Sequence, residues 1–125
     1  MEDAVATVLY VEDNYENRIL ARRLLVASGF KFLEADTAKK ALQVLKDNHP
    51  DLILMDINMP DMDGYTLTDN IRTLPDLGSV PIVALTANVM KGDREKTIQA
   101  GCDGYIEKPI DVDRFVEQIN QFLKS

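Results

Sequence analysis

Four strand-like runs in this chain each end on a side chain that can do chemistry. Val8-Leu9-Tyr10-Val11 gives way to Glu12-Asp13, and Leu52-Ile53-Leu54-Met55 to Asp56. Ile82-Val83-Ala84-Leu85 is followed by Thr86, and Tyr105-Ile106-Glu107 by Lys108. If the three carboxylates meet, they repel one another and their pKa values rise unless a cation compensates. A hard divalent ion with oxygen ligands does so, and Mg²⁺ uses few carboxylates while keeping several waters. Asn58, two residues after Asp56, can add a backbone carbonyl oxygen. A carboxylate beside such an ion, faced by one hydroxyl and one long ammonium, suits phosphoryl transfer to the carboxylate. The protein's task in that reaction is mainly positioning and charge neutralisation.

Each residue alone has a plainer reading. Glu12-Asp13 fits a helix N-terminus, which attracts carboxylates. Asp56 fits a turn cap and Thr86 an ordinary strand end. Lys108-Pro109 fits a surface loop. What separates the readings is joint placement, which depends on the elements that carry them.

Aliphatic runs at 8–11, 51–55 and 81–85, a weaker one at 30–35 and a short one at 104–106 read as strands. Helical spacing lies between them. Ile19, Leu20 and Leu24 share a helix face that stops at Gly29. Ala38, Ala41, Leu42 and Leu45 follow Thr37, an N-cap candidate. Segments 64–73 and 88–100 are helix-compatible. Val112, Phe115, Val116, Ile119 and Leu123 mark a last helix begun near Asp111. Strands alternating with helices predict an α/β fold with a five-stranded parallel sheet covered by helices on both faces. In such a sheet all strand C-termini share one edge, and ligands bind there at the switch point. With order 2-1-3-4-5, strands one and three are neighbours about 4.8 Å apart, so Glu12, Asp13 and Asp56 converge. Thr86 then lies on the next strand. Lys108, one strand further and about 10 Å away by strand spacing, is long enough to span the gap.

Composition narrows the function classes. A chain of 125 residues is expected to form one domain over 1–125. The net charge of −7 argues against nucleic acid and anionic lipid as direct partners. The single cysteine, Cys102, excludes an internal disulfide and fits a reducing cytoplasm. No apolar run reaches the roughly 18 residues of a membrane span. The acidic start Met-Glu-Asp-Ala is unlike a signal peptide. His49, the one histidine, has no companion ligand and reads as solvated. Tyr105 is an amphipathic residue near the sheet edge, able to sit buried or exposed. The Lys108–Pro109 bond is a candidate for a cis peptide, because a sharp bend there aims Lys108 inward.

The chain resembles the receiver domains of two-component response regulators over essentially its whole length. The matching stretches are Val11-Glu12-Asp13-Asn14, Asp51-Leu52-Ile53-Leu54-Met55-Asp56, Met59-Pro60-Asp61-Met62-Asp63-Gly64, Ala84-Leu85-Thr86-Ala87 and Lys108-Pro109. The resemblance implies a flavodoxin-like, doubly wound fold. It implies that Asp56 accepts phosphate from a phosphohistidine of a sensor histidine kinase or histidine phosphotransfer protein. Asp13, Asp56 and the Asn58 carbonyl would hold Mg²⁺, with Glu12 acting mostly through water. Thr86 and Lys108 would contact the phosphoryl group, and Tyr105 occupies the family's switch position. A downstream protein would read the face of the fourth helix, fifth strand and fifth helix. Chemistry on the chain itself is then confined to self-phosphorylation and slow self-dephosphorylation. Two departures are Glu12, where many members have aspartate, and Gly104, expected to leave space before Tyr105 and loosen its strand. The expectation is a stand-alone regulator starting at Met1, although the stretch from Thr86 to Asp93 also resembles receivers of hybrid kinases.

Two other classes remain open at this point. Asp61-Met62-Asp63-Gly64 superficially fits the Asp-x-Asp-Gly loop of aspartate-nucleophile phosphatases, although Pro60 precedes it and the strand ends at Asp56. A binding module that never uses phosphate is the other.

Overall fold

A computed structural model describes residues 5–57, 59, 61–87 and 91–124, with 91–94 and 124 described by their backbone alone. Strands β1 (Thr7–Val11), β2 (Lys31–Ala35), β3 (Leu52–Asp56), β4 (Ile82–Thr86) and β5 (Gly104–Glu107) alternate with five helices. These are α1 (Tyr15–Ala27), α2 (Ala38–Asp47), α3 (Gly64–Arg72), α4 (Lys91–Gln99) and α5 (Phe115–Lys124). The sheet is parallel throughout, in the order β2-β1-β3-β4-β5. The alternation of short aliphatic runs with helical spacing therefore gives the doubly wound α/β fold it predicts.

β3 and β4 are buried along their full length, which explains their unbroken apolar sequence. Alternate strand residues feed two cores. Val8, Tyr10, Leu54, Val83 and Leu85 pack under Ala21 and Leu25 of α1 and Phe115 and Ile119 of α5. Leu9, Val11, Ile53, Met55 and Ala84 pack under α2 and α3.

Helix ends follow local chemistry. Asn14 caps α1 by accepting from the Asn17 amide at 2.8 Å, and Thr37 caps α2 by accepting from Lys40 at 3.0 Å. α1 stops at Ser28, before Gly29 at φ +91°. Three details differ from the periodicity. The deeply buried residues of α1 are Ala21 and Leu25, with Ile19, Leu20 and Leu24 only half-buried. Small Ala21 lets the helix sit close to the sheet, which a count of large side chains does not register. The last helix begins at Phe115, and Val112 is 55% exposed. Residues 112–114 form turns instead, with the Phe115 amide bonded to the Asp111 carbonyl at 2.9 Å. The space at Gly104 is filled rather than left open. A Cβ there would lie 2.3 Å from Cε1 of Phe122 on α5.

Candidate functional site

Strand register assembles the site. Val11 of β1 lies opposite Met55 of β3, so Glu12 and Asp56 leave adjacent strands at the same level. Asp56 lies opposite Leu85, which places Thr86 one step further along β4. Thr86 pairs with Glu107, and its carbonyl accepts from the Lys108 amide at 2.8 Å. Ligand atoms of Glu12, Asp13 and Asp56 all lie within 4.8 Å of one another. Among the described residues they are the one such group of three metal-ligating side chains. Glu12 and Asp56 are buried, whereas Asp13 is exposed and gives the cluster its opening to solvent.

Lys108 spans the gap that strand spacing sets. Its Nζ lies 2.8 Å from Glu12 Oε1 and 3.3 Å from Asp56 Oδ1. The Lys108–Pro109 bond is cis. Thr86 is buried at the end of β4, and Tyr105 is half-buried against the core under α2 and α3. Asn58, expected to offer a carbonyl oxygen, lies outside the described residues, as does 88–90 of the stretch after Thr86.

A layer of hydrogen-bond donors around Glu12 is not evident from the motifs. Tyr10 is fully buried in β1, and its hydroxyl donates to Glu12 Oε1 at 2.9 Å. Asn17 Nδ2 donates to the same oxygen at 3.4 Å, and the Asn14 amide to Oε2 at 3.3 Å. Arg18 Nη1 donates to the Glu12 carbonyl at 2.8 Å. Tyr10 had a signal: it carries a hydroxyl within the aliphatic run of residues 8–11 and shares a strand face with Glu12 two residues on. Burial alone would push the Glu12 carboxyl upward, but the Lys108 ammonium, aided by donors such as Tyr10, holds it at about 2. Burial opposes the charge on Lys108 too, and Glu12 and Asp56 overcome it, raising its pKa above the ordinary lysine value. Burial, then the Glu12 charge, push the Tyr10 phenol strongly upward, so it stays a donor.

Asp61 and Asp63 have other work. Asp61 accepts from the Ala38 and Lys39 amides at 3.0 and 3.1 Å, holding the loop after β3 to the start of α2. Asp63 caps α3 through the Thr66 amide at 2.9 Å. Those hydrogen bonds, against a smaller opposing effect of desolvation, lower both pKa values. Neither belongs to the acidic cluster, which removes the geometric basis for a phosphatase loop at 61–64. Cys102 is buried beside Thr68, and burial raises its thiol pKa; it is a packing residue. His49 is exposed, with Nε2 2.6 Å from the Asp76 carbonyl and remote from the cluster. The donor set at the sheet edge is hard oxygen, which fits Mg²⁺ and not a soft metal.

Comparison with known proteins agrees with this geometry. The model of the response regulator receiver domain matches residues 8–120. The polar-differentiation response regulator DivK of Brucella ovis is 43% identical over 117 residues, covering 94% of this chain and 95% of that protein. The receiver domain of a sensor histidine kinase from Pseudomonas aeruginosa, crystallised with magnesium in its active-site cleft, superposes with a TM-score of 0.87 at 34% identity. That match covers 98% of this chain and 100% of the other. The Vibrio cholerae chemotaxis regulator CheY4, at 24% identity, shares the fold with a TM-score of 0.91 over 95% and 99% of the two chains. No helix among the described residues is long and apolar enough to cross a membrane. Parallel sheet, acidic edge and family match converge: the chain belongs to the response regulator receiver domain family.

Proposed function

We propose that the chain, as one receiver domain over residues 1–125, takes a phosphoryl group on Asp56 and signals by changing a partner-binding face. The observation that carries this is the meeting of Glu12, Asp13 and Asp56 within 4.8 Å, with Lys108 Nζ on two of them. Asp13 and Asp56 would hold Mg²⁺ with the Asn58 carbonyl, and Glu12 would act through water and through Lys108. When bound, the ion supplies charge neutralisation for the carboxylates and the phosphoryl oxygens.

The donor is a phosphohistidine on a histidine kinase or histidine phosphotransfer protein. An Asp56 carboxylate oxygen attacks phosphorus in line. The O–P bond forms as the P–N bond breaks, and the donor imidazole keeps the electron pair and takes up a proton. Lys108 faces the phosphoryl oxygens with its ammonium, and Thr86 offers a hydroxyl donor. The product adds about −1.5 to −2 charges beside these two residues if it resembles other phosphorylated side chains. Thr86 moves toward it and Tyr105 fills the space vacated, repacking the face of α4, β5 and α5 that a downstream protein reads. The chain acts in the cytoplasm, makes no direct nucleic-acid contact, and is not an enzyme beyond loading and slowly clearing its own aspartate. Support for a receiver that works as its own unit is the match to DivK over 95% of that protein's length.

Incubation with a small phosphodonor tests this. The wild type takes up one phosphoryl group in Mg²⁺ and none in chelator, and Asp56→Asn takes up none. Equal labelling of the two proteins would remove the mechanism.

A further inference from the structure

Asp13 is exposed, so little packing fixes its side chain and its aim comes from the main chain of the turn after β1. That turn is gripped from β2. The Glu12 amide donates to the Ala35 carbonyl at 2.9 Å. On its other side, the Glu12 carbonyl, which belongs to the Glu12–Asp13 peptide, accepts from Arg18 Nη1 at 2.8 Å. Arg18 lies in α1, four residues after the Asn14 cap, and helical side chains lean toward the N-terminus, here toward the strand end. Its guanidinium is itself tied down. Nε lies 3.0 Å from Glu34 Oε1, and Arg22 Nη2 takes Glu34 Oε2 at 3.1 Å. Glu34 precedes Ala35 in β2 and pairs in register with Tyr10. The Arg18 side chain is 13% exposed, so this is a half-sunk bridge and not a loose surface pair.

We propose that Arg18, held by Glu34, is a positioning residue that fixes the Glu12–Asp13 peptide and so aims the Asp13 carboxylate at the divalent ion. The inference rests on the reading of the acidic cluster as a Mg²⁺ site. A planar fork is required, because one nitrogen must reach a carbonyl while another holds a carboxylate. Lysine keeps the charge and loses one of the two contacts. Glutamine loses the charge as well.

The charge argument predicts the opposite sign. A cation near three carboxylates opposes a metal ion, so if Arg18 acted by charge alone, Arg18→Gln would tighten Mg²⁺ binding and Arg18→Lys would leave it unchanged. If Arg18 positions the turn, both variants weaken binding, by about tenfold on the scale of outer-shell partners in metal sites. The experiment is a calorimetric titration of MgCl₂ into wild type, Arg18→Lys and Arg18→Gln. It is paired with ¹⁵N relaxation of the Asp13 and Asn14 amides in Mg²⁺-free protein. The expected result is weaker binding in both variants, with lost order confined to the turn after β1. Unchanged affinity in Arg18→Lys, tighter binding in Arg18→Gln, or unaltered relaxation at Asp13 would overturn the bracket while leaving the metal site intact. A wild type that binds no Mg²⁺ would overturn the metal site itself and the bracket with it.

Discussion

Glu12 carries one methylene more than aspartate, and that reach takes its Oε1 to Lys108, Tyr10 and Asn17 at once. Its carboxyl is held at about 2 against an ordinary 4.5. An acid whose folded value lies below its unfolded value adds stability above the unfolded value and loses it as pH falls through the folded one. Lys108 is raised above 10.5, so its contribution is complete below that pH and fades as pH rises past the folded value. In Mg²⁺-free buffer the ion pair therefore stabilises the fold from about pH 5 to about pH 10. Urea unfolding should show the wild type losing more stability than Glu12→Gln between pH 7 and pH 3. Asp61 and Asp63 also titrate in acid, but they do so in both proteins and cancel. Superimposable acid profiles would show that Glu12 is not held by Lys108. Residues 12, 13, 56, 86 and 108 were legible because each lies at the C-terminal end of a strand or within two residues of it. Arg18 and Asn17 were not, because their partners are backbone and side-chain oxygens on a different element, which no local spacing encodes.

At the scale of elements, the junction of β5 and α5 is set by a missing side chain. The backbone of Gly104 needs no left-handed conformation, so the requirement is room: the Phe122 ring stands where a methyl would go, with Cε1 and Cζ 2.3 and 2.7 Å from the ideal Cβ position. A glycine there suggests an opening and a loosened strand, but the opening is filled from α5, eighteen residues on, which local sequence does not encode. Gly104→Ala should destabilise by about 1 to 3 kcal/mol, the usual cost of overpacking. Adding Phe122→Leu should recover part of that loss, because a non-additive pair reports direct contact. Additive effects in denaturant unfolding would rule out the contact. The same limit explains the other element-level differences. Periodicity finds large apolar side chains, so it favoured Ile19 and Leu20 over the smaller Ala21 that α1 buries. It also carried the last helix back to Val112, where turns leave that valine in solvent.

At the scale of the whole molecule, the parallel topology turns scattered positions into one edge. Strand order β2-β1-β3-β4-β5 puts β1 beside β3, and the switch point between them is where Glu12, Asp13 and Asp56 meet. This much was legible from the order of runs and helices, since buried parallel strands read as continuous aliphatic stretches. The fine aim of each group was not, because it depends on β2 and α1 closing around the end of β1. The central claim is that acids from two strands form one divalent-ion site serving Asp56. It is tested most directly by titrating Mg²⁺ into wild type, Asp13→Asn and Asp56→Asn. The account predicts one ion per wild-type chain and a loss of affinity in each variant of at least about tenfold. Wild-type affinity retained by both variants would contradict it.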